Sequence, residues 1–423
     1  MKLKRVFSIL LAALMCISVM TGCLSGGDEG TDGDIVLRFW NIWGGGDANH
    51  EAVRKVINDF NASHPGVRVV VEYFENEAYK TMIRTAVAGD EVADVFSTWG
   101  AGFSRPFYEA GKLLNLDEYL NDGTLDKLYG GALNYFIYDD SVYGLTIGRN
   151  VSGFFVNTKV FEDAGAEIPA TWEELVEASE KILASGKIPI MTSSRERWVI
   201  GMLFEGMVTK AVGASKVNAT INKEADGGYS DPLFLEAINR LGELIDNGFI
   251  NSDRAALTRD EALASFINGD AGLYYMGSWE CSALEDDSSL IKGNVDWIPF
   301  PTIPGGKGAP TDFNGGAIDG LVVSANTAHP EAAAAFVKYF TENLSREGDY
   351  MPVWNTVEID MAIRPAVFAR IIEATENATD YVIWWDTFLD GDDVTIYQDA
   401  LDRFVNGTIT AEQFHEELKK IHP

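Results

Sequence analysis

Acidic side chains stand next to tryptophans at three places in the sequence, and this pairing is the first feature that could do chemistry. The pairs are Trp279-Glu280, Asp296-Trp297 and Trp385-Asp386. Hydrolysis of a glycosidic bond uses two carboxyl groups that flank the sugar. The chain has 64 acidic residues, so such adjacency also arises by chance. An exported glycan hydrolase or lyase therefore stays open as one interpretation of these pairs.

No other group of reactive residues has the spacing of a catalytic or metal site. Cys281 has no catalytic signature around it and is expected to be a buried, inert thiol. The loop Gly44-Gly45-Gly46 lacks the glycine spacing and the terminal lysine of nucleotide-binding loops. We therefore predict no catalytic residue, no metal and no cofactor. The histidines have no metal-binding spacing and are expected on the surface: His50, His64, His329, His415 and His422.

Tryptophans recur where the predicted strands end. In open α/β sheets, ligands bind beyond the carboxyl ends of the strands. Aromatic faces there suit the C–H-rich faces of sugar rings, while a few polar side chains bond the hydroxyl groups. The alternative is that the rings fill the core, as aromatic residues commonly do. Five tryptophans at or just beyond strand ends favour a ligand cleft: Trp40, Trp43, Trp99, Trp198 and Trp279.

The elements that must position these rings alternate between short apolar runs and amphipathic stretches. The predicted strands are 35–40, 67–74, 93–99, 153–157 and 188–192, and the predicted helices are 50–62, 78–87 and 172–183. This alternation is typical of mainly parallel sheets covered by helices. Residues 299–320 are rich in Pro and Gly and are expected to cross between lobes as a loop. Three Thr-x-x-Glu/Gln capping boxes mark helix starts at Thr171, Thr258 and Thr410.

Length and charge limit the class of protein. The 423 residues indicate two or more domains or one unusually large one, and the 46% hydrophobic content excludes a disordered chain. The 33 basic and 64 acidic residues give a net charge of −31. Binding to nucleic acid needs clustered Lys and Arg that neutralise phosphates, so no nucleic-acid partner is expected.

The N-terminus has the pattern of an export signal. A basic head over 1–5 precedes an apolar run over 6–20, which is shorter than the 18 or more residues of a membrane-spanning helix. Met20-Thr21-Gly22-Cys23 resembles a bacterial lipobox, with Met20 where Leu is usual. We predict a signal peptide over 1–22 and a lipid-modified Cys23, which starts a flexible tether that ends at residue 34. The mature chain then has 30 basic and 64 acidic residues, a net charge of −34. An uncleaved anchor helix is the alternative.

Three longer stretches resemble one known family. Residues 154–175, FFVNTKVFEDAGAEIPATWEEL, resemble the crossover and first second-lobe helix of the family 1 extracellular solute-binding proteins, the carbohydrate receptors of ABC importers. Residues 266–279 resemble the other signature of that family, and residues 320–324 with 329–336 agree with it. Ala93 stands where the family usually has Pro, which affects a turn. The resemblance covers the chain from about residue 35 to its C-terminus.

The resemblance implies an α/β, two-lobed periplasmic-binding-protein-like fold of the class II type, with an interlobe cleft and multiple crossover strands. It implies an N-terminal lobe of 35–150 plus 313–345 and a C-terminal lobe of 151–312 plus 346–423. Carried over residue by residue, it also implies ligand-binding positions in both lobes. Trp384 and Trp385 share one of these positions, because the alignment is ambiguous by one residue. The positions are Asn41, Trp43, Trp99, Asn150, Glu196, Trp198, Trp279, Trp384, Trp385 and Asp386.

The function that the resemblance implies is non-enzymatic. We expect a lipoprotein, palmitate-bearing at Cys23, on the outer face of the bacterial cytoplasmic membrane. It captures an oligosaccharide, expected to be neutral, and delivers it to the permease subunits of an ABC importer. The expected partners are this ligand, the permease and, through the lipid, the membrane, and the protein is expected to be a monomer. The alternatives are the hydrolase or lyase above and a surface adhesin or sensor that uses the same cleft.

Overall fold

The computed structural model of the protein describes residues 34–362 and 364–423. The predicted signal peptide, Cys23 and the tether up to residue 33 lie outside the described residues. Within the described ranges, no helix combines the length and apolar character needed to cross a membrane.

Fourteen strands are present in the described part of the chain. They are β1 (Ile35–Asn41), β2 (Val67–Tyr73), β3 (Val95–Trp99), β4 (Ile137–Tyr138), β5 (Ser141–Val142), β6 (Gly144–Thr146), β7 (Gly148–Asn157), β8 (Ile188–Met191), β9 (Ala271–Gly277), β10 (Val295–Ile298), β11 (Asp312–Gly316), β12 (Asp319–Val323), β13 (Met351–Pro352) and β14 (Asp380–Val382).

The same residues form sixteen α-helices, with three short 3₁₀ turns between them. The helices are α1 (His50–Ser63), α2 (Asn76–Ala88), α3 (Arg105–Glu109), α4 (Asp117–Leu120), α5 (Thr158–Ala164), α6 (Trp172–Ala184), α7 (Arg197–Val212), α8 (Ala214–Ile221), α9 (Pro232–Asp246), α10 (Arg259–Ile267), α11 (Cys281–Leu284), α12 (Pro330–Glu347), α13 (Ala366–Thr375), α14 (Trp385–Phe388), α15 (Gly391–Val405) and α16 (Ala411–Leu418).

The first lobe is built on a five-stranded sheet in the order β2-β1-β3-β12-β6. The strands β1, β2 and β3 are parallel, and β12 runs antiparallel to both β3 and β6. Phe39 of β1 packs edge to face against Phe336 and Phe340 of α12, with ring centroids 5.2 and 5.1 Å apart. These contacts fix one layer of helices on the sheet, because the apolar face of each element is buried against the other.

The second lobe is built on a seven-stranded sheet whose main path is β14-β11-β7-β9-β8. The ten-residue strand β7 is its centre and pairs antiparallel with β9, β10, β11 and β13. The helix α7 packs across this sheet and is buried on every side from Val199 to Val212. A helix buried all round needs mostly apolar side chains. The buried charged residues of α7 are Glu205, which accepts a hydrogen bond from Tyr397, and Lys210, which donates to backbone carbonyl oxygens.

The chain passes between the two sheets several times. It leaves the first sheet after β6, returns between β11 and β12, and crosses again after α12. The predicted lobe boundary at residue 313 falls within β11, which pairs with β14 and β7 of the second sheet, so the change of sheet lies between Gly316 and Asp319. Beyond the predicted boundary at residue 346, Trp354 still belongs to the first-lobe core.

Two smaller expectations differ from the structure. The interval 299–320, expected as a loop, contains β11 and the start of β12. Gly315 and Gly320 lie in these strands where a carbonyl oxygen of the neighbouring strand leaves no room for a side chain. His415, expected on the surface, is buried, and its Nε2 lies 2.6 Å from the carbonyl oxygen of Tyr229. Cys281 is buried, and this desolvation raises the pKa of its thiol.

Candidate functional site

A cavity of about 400 Å³ lies between the two lobes. The first lobe contributes the loop after β1, the start of α2 and the end of β3. The second lobe contributes α7, the start of α10, the turn after β9 and the segment around Asp386. Most of these segments follow the carboxyl ends of strands or begin helices, as expected for a ligand site in an α/β protein.

The loop after β1 is organised by Asn41. Its side-chain Oδ1 accepts a hydrogen bond from the backbone N–H of Trp43 at 2.9 Å, and Asn41 itself is completely buried. Trp43 lines the cavity, but most of its ring packs in the first-lobe core, 5.9 Å from Phe340. Asn41, proposed from the sequence as a ligand contact, therefore does not reach the cavity surface. It holds the loop that carries Trp43.

Four further tryptophans line the cavity. Trp99 comes from the first lobe, and Trp198, Trp279 and Trp384 come from the second. The ring of Trp279 lies 6.3 Å from Trp198 and 5.4 Å from Trp384, so the three second-lobe rings form a continuous aromatic wall. Trp384 is fixed by a hydrogen bond from its Nε1 to the hydroxyl of Ser152 at 3.2 Å.

The structure distinguishes Trp384 from Trp385. Trp384 lines the cavity, whereas Trp385 is completely buried in the second-lobe core. The Trp385 ring packs 5.0 Å from Tyr397 and 5.5 Å from Tyr229. At the start of a short helix, adjacent side chains point in different directions, so only one member of the pair can face the cleft. Trp385 is therefore a core residue and not a ligand contact, while its neighbour Asp386 lines the cavity.

Asn150 and Asp319 form the polar floor near the crossover strands. The Nδ2 of Asn150 donates to Asp319 Oδ2 at 3.2 Å, and its Oδ1 accepts from the hydroxyl of Ser278 at 2.8 Å. Desolvation raises the pKa of Asp319 to about 6, although its hydrogen bonds to Asn150 and Trp99 oppose the shift. Asp319 therefore fixes Asn150 and Trp99 at once.

A second polar group surrounds Glu196 at the opposite wall. Its Oε1 accepts a hydrogen bond from the backbone N–H of Arg259 at 2.7 Å. The guanidinium of Arg259 in turn donates to the buried Glu280 at 2.7 Å. Burial raises the pKa of Glu196, and Arg259 partly offsets this effect. Glu196 directly precedes α7 and Arg259 begins α10, so the backbones of these two residues are fixed by secondary structure.

Of the ten residues proposed from the sequence, eight line the cavity, namely all except Asn41 and Trp385. Sequence reasoning missed several charged and aromatic lining residues. Some of these lie in the strand-end loops already identified, so the strand-end rule could have found them. Lys80 carries no such signal, because it lies inside the ordinary amphipathic helix α2. The missed residues include Asp47, Glu75, Lys80, Arg259, Asp260, Asp319 and Tyr350.

The fold and the cleft have counterparts among solved structures. A structure from work on xylan utilization by the thermophilic bacterium Caldanaerobius polysaccharolyticus has a TM-score of 0.87 and 32% identity, over 92% of this chain and all of the other. A chitin oligosaccharide binding protein has a TM-score of 0.82 and 26% identity, over 92% and 98% of the two chains. The expected two-lobed periplasmic-binding-protein fold is thereby confirmed.

Sequence comparisons point to the same group of proteins. The multiple sugar-binding protein of Streptococcus mutans is 26% identical over 294 residues, 68% of this chain and 67% of the relative. The xylose/arabinose-binding protein XacG of Haloferax volcanii is 25% identical over 291 residues, 66% and 61% of the two chains. The family described as bacterial extracellular solute-binding protein matches residues 46–343. The family model spans more than half of the chain, and the resemblance in the sequence motifs is confirmed: this protein belongs to the bacterial extracellular solute-binding proteins.

Proposed function

We propose that this protein captures an oligosaccharide in the interlobe cleft and delivers it to the permease of an ABC importer. The observation that carries the proposal is the aromatic wall of Trp198, Trp279 and Trp384 facing Trp99 across one cavity. Flat aromatic faces bind the C–H faces of sugar rings, and hydrogen-bonding side chains between them bind hydroxyl groups. Several rings along one wall support a ligand of several sugar units rather than one.

The charge of the cleft supports an uncharged ligand. Among the described residues that line the cavity, six carry carboxyl groups and two carry cations. An acidic sugar would meet a wall of its own sign in a partly desolvated site, where repulsion between like charges is stronger than in water. A neutral oligosaccharide avoids this cost, and carboxylates are good acceptors for its hydroxyl groups.

The contacts of the acidic side chains agree with a protein that binds its ligand without catalysing a reaction. Glu196 accepts a backbone hydrogen bond, Glu280 is paired with Arg259, and Asp319 holds Asn150. Each carboxyl group thus has a structural partner inside the protein. The ligand instead changes the equilibrium between open and closed lobes, by the difference between its contacts in the two states. The named relatives are binding proteins, so a hydrolase or lyase is the less favoured alternative.

The family and the N-terminal sequence support a location outside the cytoplasm. An extracellular solute-binding protein works outside the cytoplasm, and the lipobox-like Met20-Thr21-Gly22-Cys23 supports a lipid anchor at Cys23. We infer that the anchored monomer stays beside the permease on the outer face of the membrane. Metabolic labelling with a radioactive fatty acid would detect the anchor, and Cys23→Ser should abolish the label and release the protein.

Calorimetric titration of the purified protein against plant and microbial oligosaccharides tests the proposed function. We expect heat of binding with one class of neutral oligosaccharide and complete recovery of the intact sugar after prolonged incubation. Chromatographic detection of shortened sugar would instead establish the hydrolase or lyase. Binding of an amino acid or a metal ion, with no heat from any glycan, would contradict the proposal.

A further inference from the structure

Lys80 is a charged residue of the first lobe whose interactions cross the cleft. It lies on α2, and its Nζ is 3.5 Å from Oδ2 of Asp386 in the second lobe. On its own helix, Nζ lies 3.2 Å from Oε1 of Glu77. The side chains of Lys80 and Asp386 are 18% and 11% exposed, so solvent screens this pair less than it screens a surface pair.

Two tryptophans complete the surroundings of the same ammonium group. Its Nζ lies 5.2 Å from the ring centroid of Trp99 in the first lobe and 5.3 Å from that of Trp198 in the second. Both distances fall within the range of about 6 Å for cation–π attraction. The ammonium therefore contacts an acid and an aromatic ring from each lobe, at the place where sugar rings are proposed to stack.

We propose that Lys80 is a positioning residue that couples ligand capture to closure of the lobes. This inference rests on the proposed function of the cleft. When the lobes separate, Lys80 keeps Glu77 and Trp99, which belong to its own lobe, and loses Asp386 and Trp198. The lost interactions belong only to the closed state, so they bias the equilibrium towards it.

The ammonium group can also contact the ligand directly. A lysine has three N–H donors, and the two carboxylates occupy two of them. The third is available to an oxygen of a sugar that lies against Trp99 or Trp198. A ligand that accepts this hydrogen bond strengthens the same closed arrangement, so binding and closure reinforce each other.

The experiment compares Lys80→Met and Asp386→Asn with the double variant. The matched control is Lys55→Met, because Lys55 pairs with Asp59 and Glu347, both in the first lobe. Small-angle X-ray scattering of the ligand-free protein measures closure. We expect a larger radius of gyration for each single variant and no further increase in the double variant. The control should match the wild type.

Calorimetry with the oligosaccharide found in the ligand screen is the second measurement. We expect Lys80→Met to weaken binding roughly tenfold or more, and Lys80→Arg to retain most of the affinity. Raising the salt concentration should weaken binding by the wild type slightly more than binding by Lys80→Met, because screening of this largely buried ion pair is reduced but not abolished. A purely structural role for Lys80 would not produce this difference in salt dependence.

Unchanged scattering and unchanged affinity in Lys80→Met would overturn the inference. If this variant does not fold, Asp386→Asn removes the same ion pair from the other lobe and carries the test. If no oligosaccharide binds the wild type, the proposed function fails. The scattering comparison still decides the role of Lys80, because it needs no ligand.

Discussion

Asp319 connects the floor of the cleft to the stability of the protein. The residue is partly exposed and lines the cavity, and desolvation raises the pKa of its carboxyl group from 3.8 to about 6. Between these two pH values, the folded protein therefore binds a proton that the unfolded chain releases. The contribution of Asp319 to stability is fully present below pH 3.8 and is lost as the pH rises through about 6.

We predict that Asp319→Asn removes this pH dependence. The difference in unfolding free energy between variant and wild type should increase by about 1–2 kcal/mol from pH 4 to pH 7. The rise in the pKa of Asp319 corresponds to about 3 kcal/mol, and exposure to the cleft reduces this figure. Chemical denaturation at several pH values measures the trend. Asp122→Asn is the control, because Lys338 lowers the pKa of Asp122. The difference in unfolding free energy between this variant and the wild type should stay constant in this pH range. A constant difference for both variants would contradict the assignment.

The tryptophans of the two walls should account for much of the ligand affinity. Trp99→Ala and Trp279→Ala should each weaken oligosaccharide binding by about 1–3 kcal/mol, because each removes an aromatic stacking surface. Calorimetry gives the change directly. Tyr129→Ala, at a residue that is 58% exposed on the first lobe, should leave the affinity unchanged. Equal effects of all three substitutions would show that stacking is not the cause.

At the residue scale, side-chain type decided what the sequence could predict. Of the five tryptophans predicted at or just beyond strand ends, four line the cleft, whereas Trp40 packs in a core cluster of the first lobe, the alternative that the sequence left open. Asn41 was misplaced because a polar residue at a strand end can face either the ligand or its own loop. Lys80 was missed because a lysine inside an amphipathic helix is usually solvated, and its partners Asp386 and Trp198 come from the distant second lobe.

Two capping boxes make it possible to separate the effect of a helix start on ligand binding from its effect on the stability of the protein. At the start of α10, the hydroxyl of Thr258 accepts a hydrogen bond from the backbone N–H of Glu261. Arg259, which directly follows Thr258, lies in the cleft wall. Thr410 caps α16 in the same way. Thr258→Ala and Thr410→Ala should each cost about 1 kcal/mol of stability.

Only Thr258→Ala should also change ligand binding. Fraying of α10 displaces Arg259, including the backbone N–H that donates a hydrogen bond to Glu196. We therefore expect an affinity loss of roughly threefold to tenfold. Thr410→Ala should bind like the wild type. Parallel thermal unfolding and calorimetry check both effects. Similar binding by the two variants would mean that the start of α10 does not position the cleft.

At the element scale, periodic segments and short apolar strands were predictable, whereas one helix buried on all sides and one strand with two glycines were not. The helix predicted over 172–183 is α6, which ends one residue later, and its capping box is formed. The helix α7 was missed, because burial on all sides removes the polar face that marks a helix in a sequence. The strand β11 was missed because its two glycines resemble a loop, although they allow close approach of neighbouring chain segments.

The arrangement of the two lobes depends on a close contact at Gly102. A methyl group there would overlap the carbonyl oxygens of Phe388 and Leu389 in the second lobe. Beside it, the N–H of Phe103 donates to the carbonyl oxygen of Thr387 at 3.0 Å. Backbone atoms cannot move aside as a flexible side chain can, so the glycine is needed for the lobes to meet here.

Gly102→Ala should therefore hold the lobes apart. We expect a larger radius of gyration and ligand binding that is weaker by roughly tenfold, since overpacking commonly costs about 1–3 kcal/mol. Circular dichroism should show that the fold is retained. Gly130→Ala is the control, because no atom of the described residues lies within 4 Å of the added methyl position. Wild-type scattering and affinity in Gly102→Ala would show that the contact does not govern closure.

The position of β12 in the first sheet also affects how the chain reaches its native state. This strand lies between β3 and β6, and the hydroxyl of Thr146 bonds to the carbonyl oxygen of Asp319, 173 positions away. The first sheet therefore cannot be completed until the ribosome has made the second-lobe segment from β7 to β11. Contacts between such distant residues slow folding. Completion of the N-terminal lobe is delayed for most of synthesis, which favours keeping the chain unfolded until export.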